Sequence, residues 1–251
     1  CEGCGDCSKK SNCLSVVPKS TKFGTKRMIE QSTCNKDYSC VAGFCPSFVN
    51  VIGGVLKVQK PKAFDIESFD LPDPVLPSLG EPYDIYVSGV GGTGIVTVAA
   101  LLAMAAHMED KGCSTVDMTG LAQKGGAVVS HVRIAAHPDH LDAKRIAVGA
   151  ANLLLGGDLI VASMPDALKT IKKDKTYGLI NTFEAITGDF TQGCDASFPA
   201  DDLKERLIEV MGKSRIDFVP ATDLAHALAG DTIATNIFLL GYAYQKGWLP
   251  L

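Results

Sequence analysis

The sequence has no run of apolar residues approaching the roughly 18 that a membrane-spanning helix needs, so no such helix is expected. It opens on Cys1-Glu2-Gly3-Cys4, with neither a charged leader nor an apolar stretch behind it, so no secretory signal is expected. An initiator Met is missing too, from which we expect a chain cut or processed from a longer protein. A large excess of charge of either sign is also absent. A formal net charge of −4 over 251 residues argues against a general nucleic-acid or membrane-surface binder. With 46% hydrophobic and 21% charged residues the composition is not that of a disordered chain. No internal repeat or low-complexity tract is visible. The length suits one large domain, or a small and a medium one.

Cysteine is scarce beyond residue 45. Seven of the nine cysteines lie before that point, at positions 1, 4, 7, 13, 34, 40 and 45, and only Cys113 and Cys194 lie beyond it. An odd cluster of thiols without an export signal reads as metal ligands in a reducing, cytoplasmic compartment rather than as a disulfide framework. Cys1, Cys4 and Cys7 are spaced C-x2-C-x2-C, which puts three thiolates on one tight loop and suits three corners of a cubane iron–sulfur cluster. A distant Cys-Pro supplies the fourth ligand in such motifs, and Cys45-Pro46 fits. Structural zinc prefers four ligands in paired C-x2-C form, so iron–sulfur is favoured over zinc or plain buried thiols.

A second set comprises Cys13, Cys34 and Cys40. The window from Cys34 to Cys40 has the frame C-x2-D-x2-C, with Asp37 where a middle cysteine is expected. Two-cluster pairing assigns Cys1, Cys4, Cys7 and Cys45 to one cluster, and Cys13, Cys34, Cys40 with Asp37 to the other. Asp37 is either a ligand or a solvated loop residue. The x5 gap from Cys7 to Cys13 and the x4 gap from Cys40 to Cys45 are both longer than the x3 of that pattern, so these loops must bulge. Gly24, between 19–23 and 25–30, marks a hairpin between the half-motifs.

Charge divides the chain in the same place. Residues 1–60 hold 9 Lys and Arg against 4 Asp and Glu, while residues 61–251 hold 15 against 24. Five prolines, at positions 61, 72, 74, 77 and 82, predict an extended connector, because proline fixes φ and lacks an N–H. The expected organisation is a small iron–sulfur domain at 1–50, a Pro-rich linker at 51–82 and an α/β domain at 83–251.

In the last of these, strands are expected at 84–88, 113–117, 127–134, 158–163, 178–181 and 215–219. Helices are expected at 94–107, 164–172 and 201–211. A final helix should run from an Asp231 cap to about Lys246, with Gly247 as its stop. Alternation of this kind implies a mostly parallel sheet covered on both faces, a three-layer α/β architecture.

Gly89, Gly91, Gly92, Thr93 and Gly94 belong to a Gly-rich turn between an expected strand and an expected helix. There the backbone can approach a ligand, and a helix N-terminus offers N–H groups to an anion. Asp117 ends the next strand in sequence, where a ribose-binding acid would sit in a nicotinamide enzyme. A tight strand-to-helix turn would look the same. A second group, Gln123, Lys124, Gly125 and Gly126, could add a backbone nest and a cation, or be a solvated turn. We expect the two segments to meet in one anion site. His131 and Arg133 share a strand face by their period-2 spacing. Cys113 and Cys194 are expected to be inert buried thiols.

The segments CEGCGDCSKKSNC, CNKDYSCVAGFCPSFV, VSGVGGTGIVT and MTGLAQKGGAVVSHVR together resemble the 2-oxoacid:ferredoxin oxidoreductases, and among them the fused bacterial indolepyruvate type. The resemblance implies a ferredoxin-like domain followed by a gamma-type catalytic domain. It implies oxidative decarboxylation of a 2-oxoacid with coenzyme A as co-substrate, electrons leaving through two [4Fe-4S] clusters, the second with three or four irons, to ferredoxin. It further implies thiamine diphosphate and Mg. The Gly-Asp-Gly motif that holds them in that family is absent here, so they are expected on other domains of the same enzyme, the chain acting only in an oligomer with those domains. The alternative is an iron–sulfur carrier fused to an NAD(P)- or flavin-binding module.

Overall fold

A computed structural model describes residues 1–251 except 32, 50, 56–69, 121–124 and 186–197. Gln123, Lys124 and Cys194, and most of the first half of the expected linker, lie outside the described residues. The chain divides into two compact units, Cys1–Gln59 with Ala185–Phe198, and Lys60–Glu184 with Pro199–Leu251. No helix among the described residues is long and apolar enough to cross a membrane.

The first unit begins with a short helix, α1 (Asp6–Ser11), which sequence reasoning did not foresee. Asp6 stands in its first turn and Lys9 and Lys10 in its last, the order that suits the helix dipole. Asn12 closes it in the left-handed region at φ 48°. Strands β1 (Val16–Thr21) and β2 (Gly24–Ile29) then form an antiparallel hairpin, with Val16 opposite Ile29. Its turn is Lys22–Phe23, and Gly24 takes φ 88° at the first position of β2, a conformation open to glycine.

The second unit is a six-stranded sheet in the order β4-β5-β3-β6-β7-β8, formed by Gly112–Thr119, Ala127–Ala135, Tyr83–Val90, Leu153–Gly156, Tyr177–Asn181 and Ile216–Val219 respectively. The pairings β3–β6, β6–β7 and β7–β8 are parallel, whereas β5 runs against both β3 and β4. The reversal follows from chain length. Only residues 120–126 join β4 to β5, too few for the dozen or more that a parallel crossover requires.

Helix α2 (Ile95–Met108) lies on one face. Ile95, Val98, Ala99, Leu102 and Ala106 recur at helical spacing and pack with Ile85 and Val87 of β3 and Val132 of β5. The remaining helices are α3 (Leu159–Ala162), α4 (Pro165–Thr170), α5 (Ala200–Met211), α6 (Ala221–Ala229) and α7 (Thr235–Gln245).

Three expectations need correction. Residues 158–163 are not a strand. Asp158 is an N-cap whose carboxylate accepts from Val161 N at 2.8 Å, which starts α3, and the buried strand is the preceding Leu153–Gly156. Asp231 caps a 3-10 turn, Thr232–Ala234, and the last helix begins only at Thr235. Between β8 and that turn stands α6, which was not expected.

Candidate functional site

The carboxyl ends of the parallel strands gather the glycines. Gly91 N donates to Gly126 O at 2.7 Å, so the two glycine segments meet. A Cβ on Gly91 would lie 3.4 Å from that carbonyl. Gly92 and Gly94 have φ of 89° and 91°, in the left-handed region. Gly89 serves packing instead: a Cβ there would lie 2.5 Å from Cδ1 of Ile95. Thr93 turns its hydroxyl back onto Val90 O at 2.7 Å, so it braces the loop. Gly94, as the N-cap of α2, has no side chain to cap with, and Val98 N is the first of the helix to find an acceptor, Gly94 O. The first-turn N–H groups of α2 are thus left to face the loop.

Beside this loop lies a pocket of about 450 Å³, lined among others by Gly91, Gly92, Gly94, Val96, Thr119 and Val128. It lies on the β4–β5 side of β3, walled by the ends of β3 and β4, the start of β5 and the first turn of α2. Gly157 N donates to Ser88 O at 2.7 Å and ties the ends of β6 and β3 together.

Two asparagines that sequence reasoning missed hold this end together. Buried Asn236 of α7 donates from Nδ2 to Thr93 O at 2.7 Å. Asn181, at the end of β7, donates to Gly157 O at 3.1 Å and Thr222 Oγ1 at 2.9 Å, and accepts from Thr222 N. Each is a polar residue at a strand or helix end within an apolar segment, the one signal that could have singled them out.

Other expected residues are placed elsewhere. Asp117 is on β4, with β5 between it and β3, hence about 10 Å across the sheet from the glycine-loop strand. It accepts a hydrogen bond from Ser130 Oγ. A ribose-binding acid belongs on the strand adjacent to the glycine loop, so this arrangement does not suit a dinucleotide. His131 and Arg133 share the opposite sheet face, and Arg133 Nε donates to buried Asp84 Oδ1 at 2.7 Å. Cys113, expected to be buried, is half-buried against the core, and burial pushes its thiol up.

In the first unit all described cysteines are free thiols. Burial pushes the Cys40 thiol up, and the nearby thiols of Cys13, Cys34 and Cys7 add to this. Gly3 N and Arg27 N each approach Cys1 Sγ at 3.4 Å, and Lys36 N approaches Cys34 Sγ at 3.4 Å. Amide donors on sulfur and crowded thiols suit an iron–sulfur group, whose irons would neutralise the thiolates. Among the described residues no three His, Cys, Asp or Glu side chains are already grouped as a metal site. Asp37 Oδ1 accepts from Ser39 N at 3.1 Å and Ser39 Oγ at 2.9 Å, a turn that shapes the approach to Cys40.

A family model described as pyruvate ferredoxin/flavodoxin oxidoreductase matches residues 84–251. The chain belongs to this family. It is 32% identical over 171 residues to the indolepyruvate oxidoreductase subunit IorB of Archaeoglobus fulgidus, covering 66% of this chain and 78% of that protein. The IorB subunit of Pyrococcus horikoshii is 29% identical, with coverage of 67% and 80%. Among solved structures, the pyruvate oxidoreductase subunit PORC of Thermotoga maritima is similar at 20% identity and TM-score 0.46, covering 68% of this chain and 79% of that one. As a member of the 2-oxoacid:ferredoxin oxidoreductases, the chain is part of an oxidoreductase, and both IorB relatives are named as single subunits of theirs.

Proposed function

We propose that this chain is the gamma-type and electron-transfer portion of an aryl-pyruvate, most plainly indolepyruvate, ferredoxin oxidoreductase. The proposed reaction converts a 2-oxoacid and coenzyme A to an acyl-CoA and carbon dioxide, and two electrons pass to ferredoxin. The observation that carries the reading is the meeting of Gly91 and Gly126 beside the open N-terminus of α2, in a chain related to IorB subunits. Thiamine diphosphate with Mg, held by companion domains, would supply the carbanion chemistry.

The residues of this chain bind and conduct. Backbone N–H groups around Gly92 and the first turn of α2 would hold the diphosphate of coenzyme A, with Gln123 and Lys124 on the adjoining segment. The pocket of about 450 Å³ has room for that part of the molecule. Cys1, Cys4, Cys7 and Cys45 would hold one cluster. Cys13, Cys34 and Cys40 with Asp37 would hold the other. Iron–sulfur clusters supply one-electron transfer when bound.

Gly92 has φ 89° and nothing within 4 Å of a Cβ, so Gly92→Val strains the loop and fills the site without striking a neighbour. Coenzyme A binding to the full chain, measured by calorimetry, should weaken by about tenfold or more, with iron content unchanged. Equal affinity in the variant would remove the glycine loop from the site.

Partner choice has an electrostatic signature. Lys9, Lys10, Lys19, Lys22 and Lys36 are exposed in the cysteine unit, with Lys26 and Arg27 half-buried. This surface suits an acidic ferredoxin, and electron transfer from the assembled enzyme should slow as salt rises from 50 to 300 mM, roughly tenfold or more. A rate indifferent to salt would exclude steering by these lysines.

A further inference from the structure

On the sheet face away from α2 lies a second pocket, of about 160 Å³. Tyr86, Met118, His131, Arg145, Val148 and Lys169 are among its walls. We propose that it binds a small monocarboxylate with a short apolar body. The proposal is independent of the glycine loop and of the iron–sulfur reading.

Two buried donors of the pocket are unanswered, and its one carboxylate, Asp166, is engaged by Lys169. Tyr86 and His131 are 1% and 4% exposed and stand edge to face, with ring centroids 5.0 Å apart. His131 Nδ1 accepts from Ile146 N at 3.2 Å, so the ring proton sits on Nε2. No described residue accepts that proton or hydrogen-bonds the Tyr86 hydroxyl, and neither atom is sealed from the pocket. Burial holds the His131 imidazole below its ordinary value, with Arg145 adding to this, and so keeps the ring a neutral donor. Burial, with the Asp166 carboxylate adding to it and Arg145 opposing, pushes the Tyr86 hydroxyl up to about 12, so it too keeps its proton.

Charge sets the ligand's sign. Arg145 is exposed and has no hydrogen bond or ion pair to a described residue. Lys169 pairs with Asp166 at 3.3 Å, which leaves the pocket one unit positive. A planar guanidinium fork with two neutral donors matches a carboxylate, and a single net charge suits a monoanion better than a phosphate dianion.

Size sets the rest. The volume is about five times the roughly 30 Å³ that a water occupies, enough for a short chain or one ring and too little for a nucleotide. Met118, Ile146 and Val148 supply apolar walls. The covering segment is held in place: Gly149 N donates to Lys169 O and Ala151 N to Thr170 O, both at 2.9 Å.

The test is calorimetric titration of the full chain with phenylacetate, 2-phenylethanol and inorganic phosphate. Phenylacetate should bind saturably, the alcohol should not at equal concentration, and phosphate should not compete with phenylacetate. Arg145→Gln should weaken phenylacetate binding by about tenfold, because a charge-assisted hydrogen bond is lost from an exposed, unpaired side chain. Tyr86→Phe should weaken it severalfold, and Gly92→Val should leave it unchanged. Thermal unfolding of the Arg145 and Tyr86 variants checks that they fold. No saturable binding of phenylacetate, its displacement by an equal concentration of phosphate, or undiminished binding in Arg145→Gln would each overturn the proposal.

Discussion

Replacing Arg133 by Met is expected to cost the α/β unit about 3–5 kcal/mol of stability at pH 7. Arg133 is the ion-pair partner of Asp84, its side chain 15% exposed against 6% for the aspartate. It also donates from Nη1 to Ala143 O at 2.6 Å. Without it a buried carboxylate keeps only the charge of Lys175 to oppose its burial. The pH dependence gives the sign. Burial raises the Asp84 carboxyl above its ordinary value even with Arg133 opposing, and removing Arg133 leaves burial less opposed. A carboxyl raised in the folded state favours the protonated fold. Its contribution is fully present below the ordinary value near 3.8 and is lost as pH rises through the folded value. The destabilisation should therefore be larger at pH 7 than at pH 4.5, when urea unfolding is compared at the two. Adding Asp84→Asn should recover much of the loss, since it removes the stranded charge. A loss under about 1 kcal/mol, or one equal at both pH values, would show that the pair is solvated like a surface bridge.

The second large effect concerns iron. In full chain loaded with iron and sulfide, Cys13→Ala should remove one cluster and roughly half of the iron. Asp37→Cys should keep the iron and change its chemistry. A carboxylate is a harder ligand than thiolate and holds cluster iron more weakly. The Asp37 carboxylate is moreover shared with the Ser39 amide and hydroxyl, both of which compete for the same oxygen. Air exposure of the parent protein should yield the paramagnetic resonance signal of a three-iron cluster, and Asp37→Cys should abolish it. No such signal in the parent, or the same signal in the variant, would assign Asp37 to the turn alone.

Much of the glycine site was legible because its signals are local. β3, the glycine run and α2 follow one another directly in sequence, and the helix shows its buried stripe at 95, 98, 99, 102 and 106. The Gly24 hairpin was legible for the same reason, with the turn itself falling one step earlier, at Lys22–Phe23. The apolar run at 158–163 misled because a short buried strand and a short buried helix have the same composition. What separates them is the Asp158 side chain bonding Val161 N, a contact between neighbours that composition does not express. Helix α6 carries weak local marks, because Pro220 and Gly230, which bracket it, are equally loop punctuation.

The sequence by itself determined the order of the elements, the clustering of seven thiols before residue 46 and the presence of two glycine turns, since each depends on residues close along the chain. Only the tertiary structure decided which of these meet. It seated β5 between β3 and β4, which moved Asp117 away from the glycine loop and brought Gly126 onto Gly91. It set Asn236 against Thr93, 143 residues away, and brought Arg145 to the same pocket as the buried Tyr86 and His131. Such contacts are selected by burial and by the pairing of every buried polar group across the whole unit, and no window of sequence contains both partners.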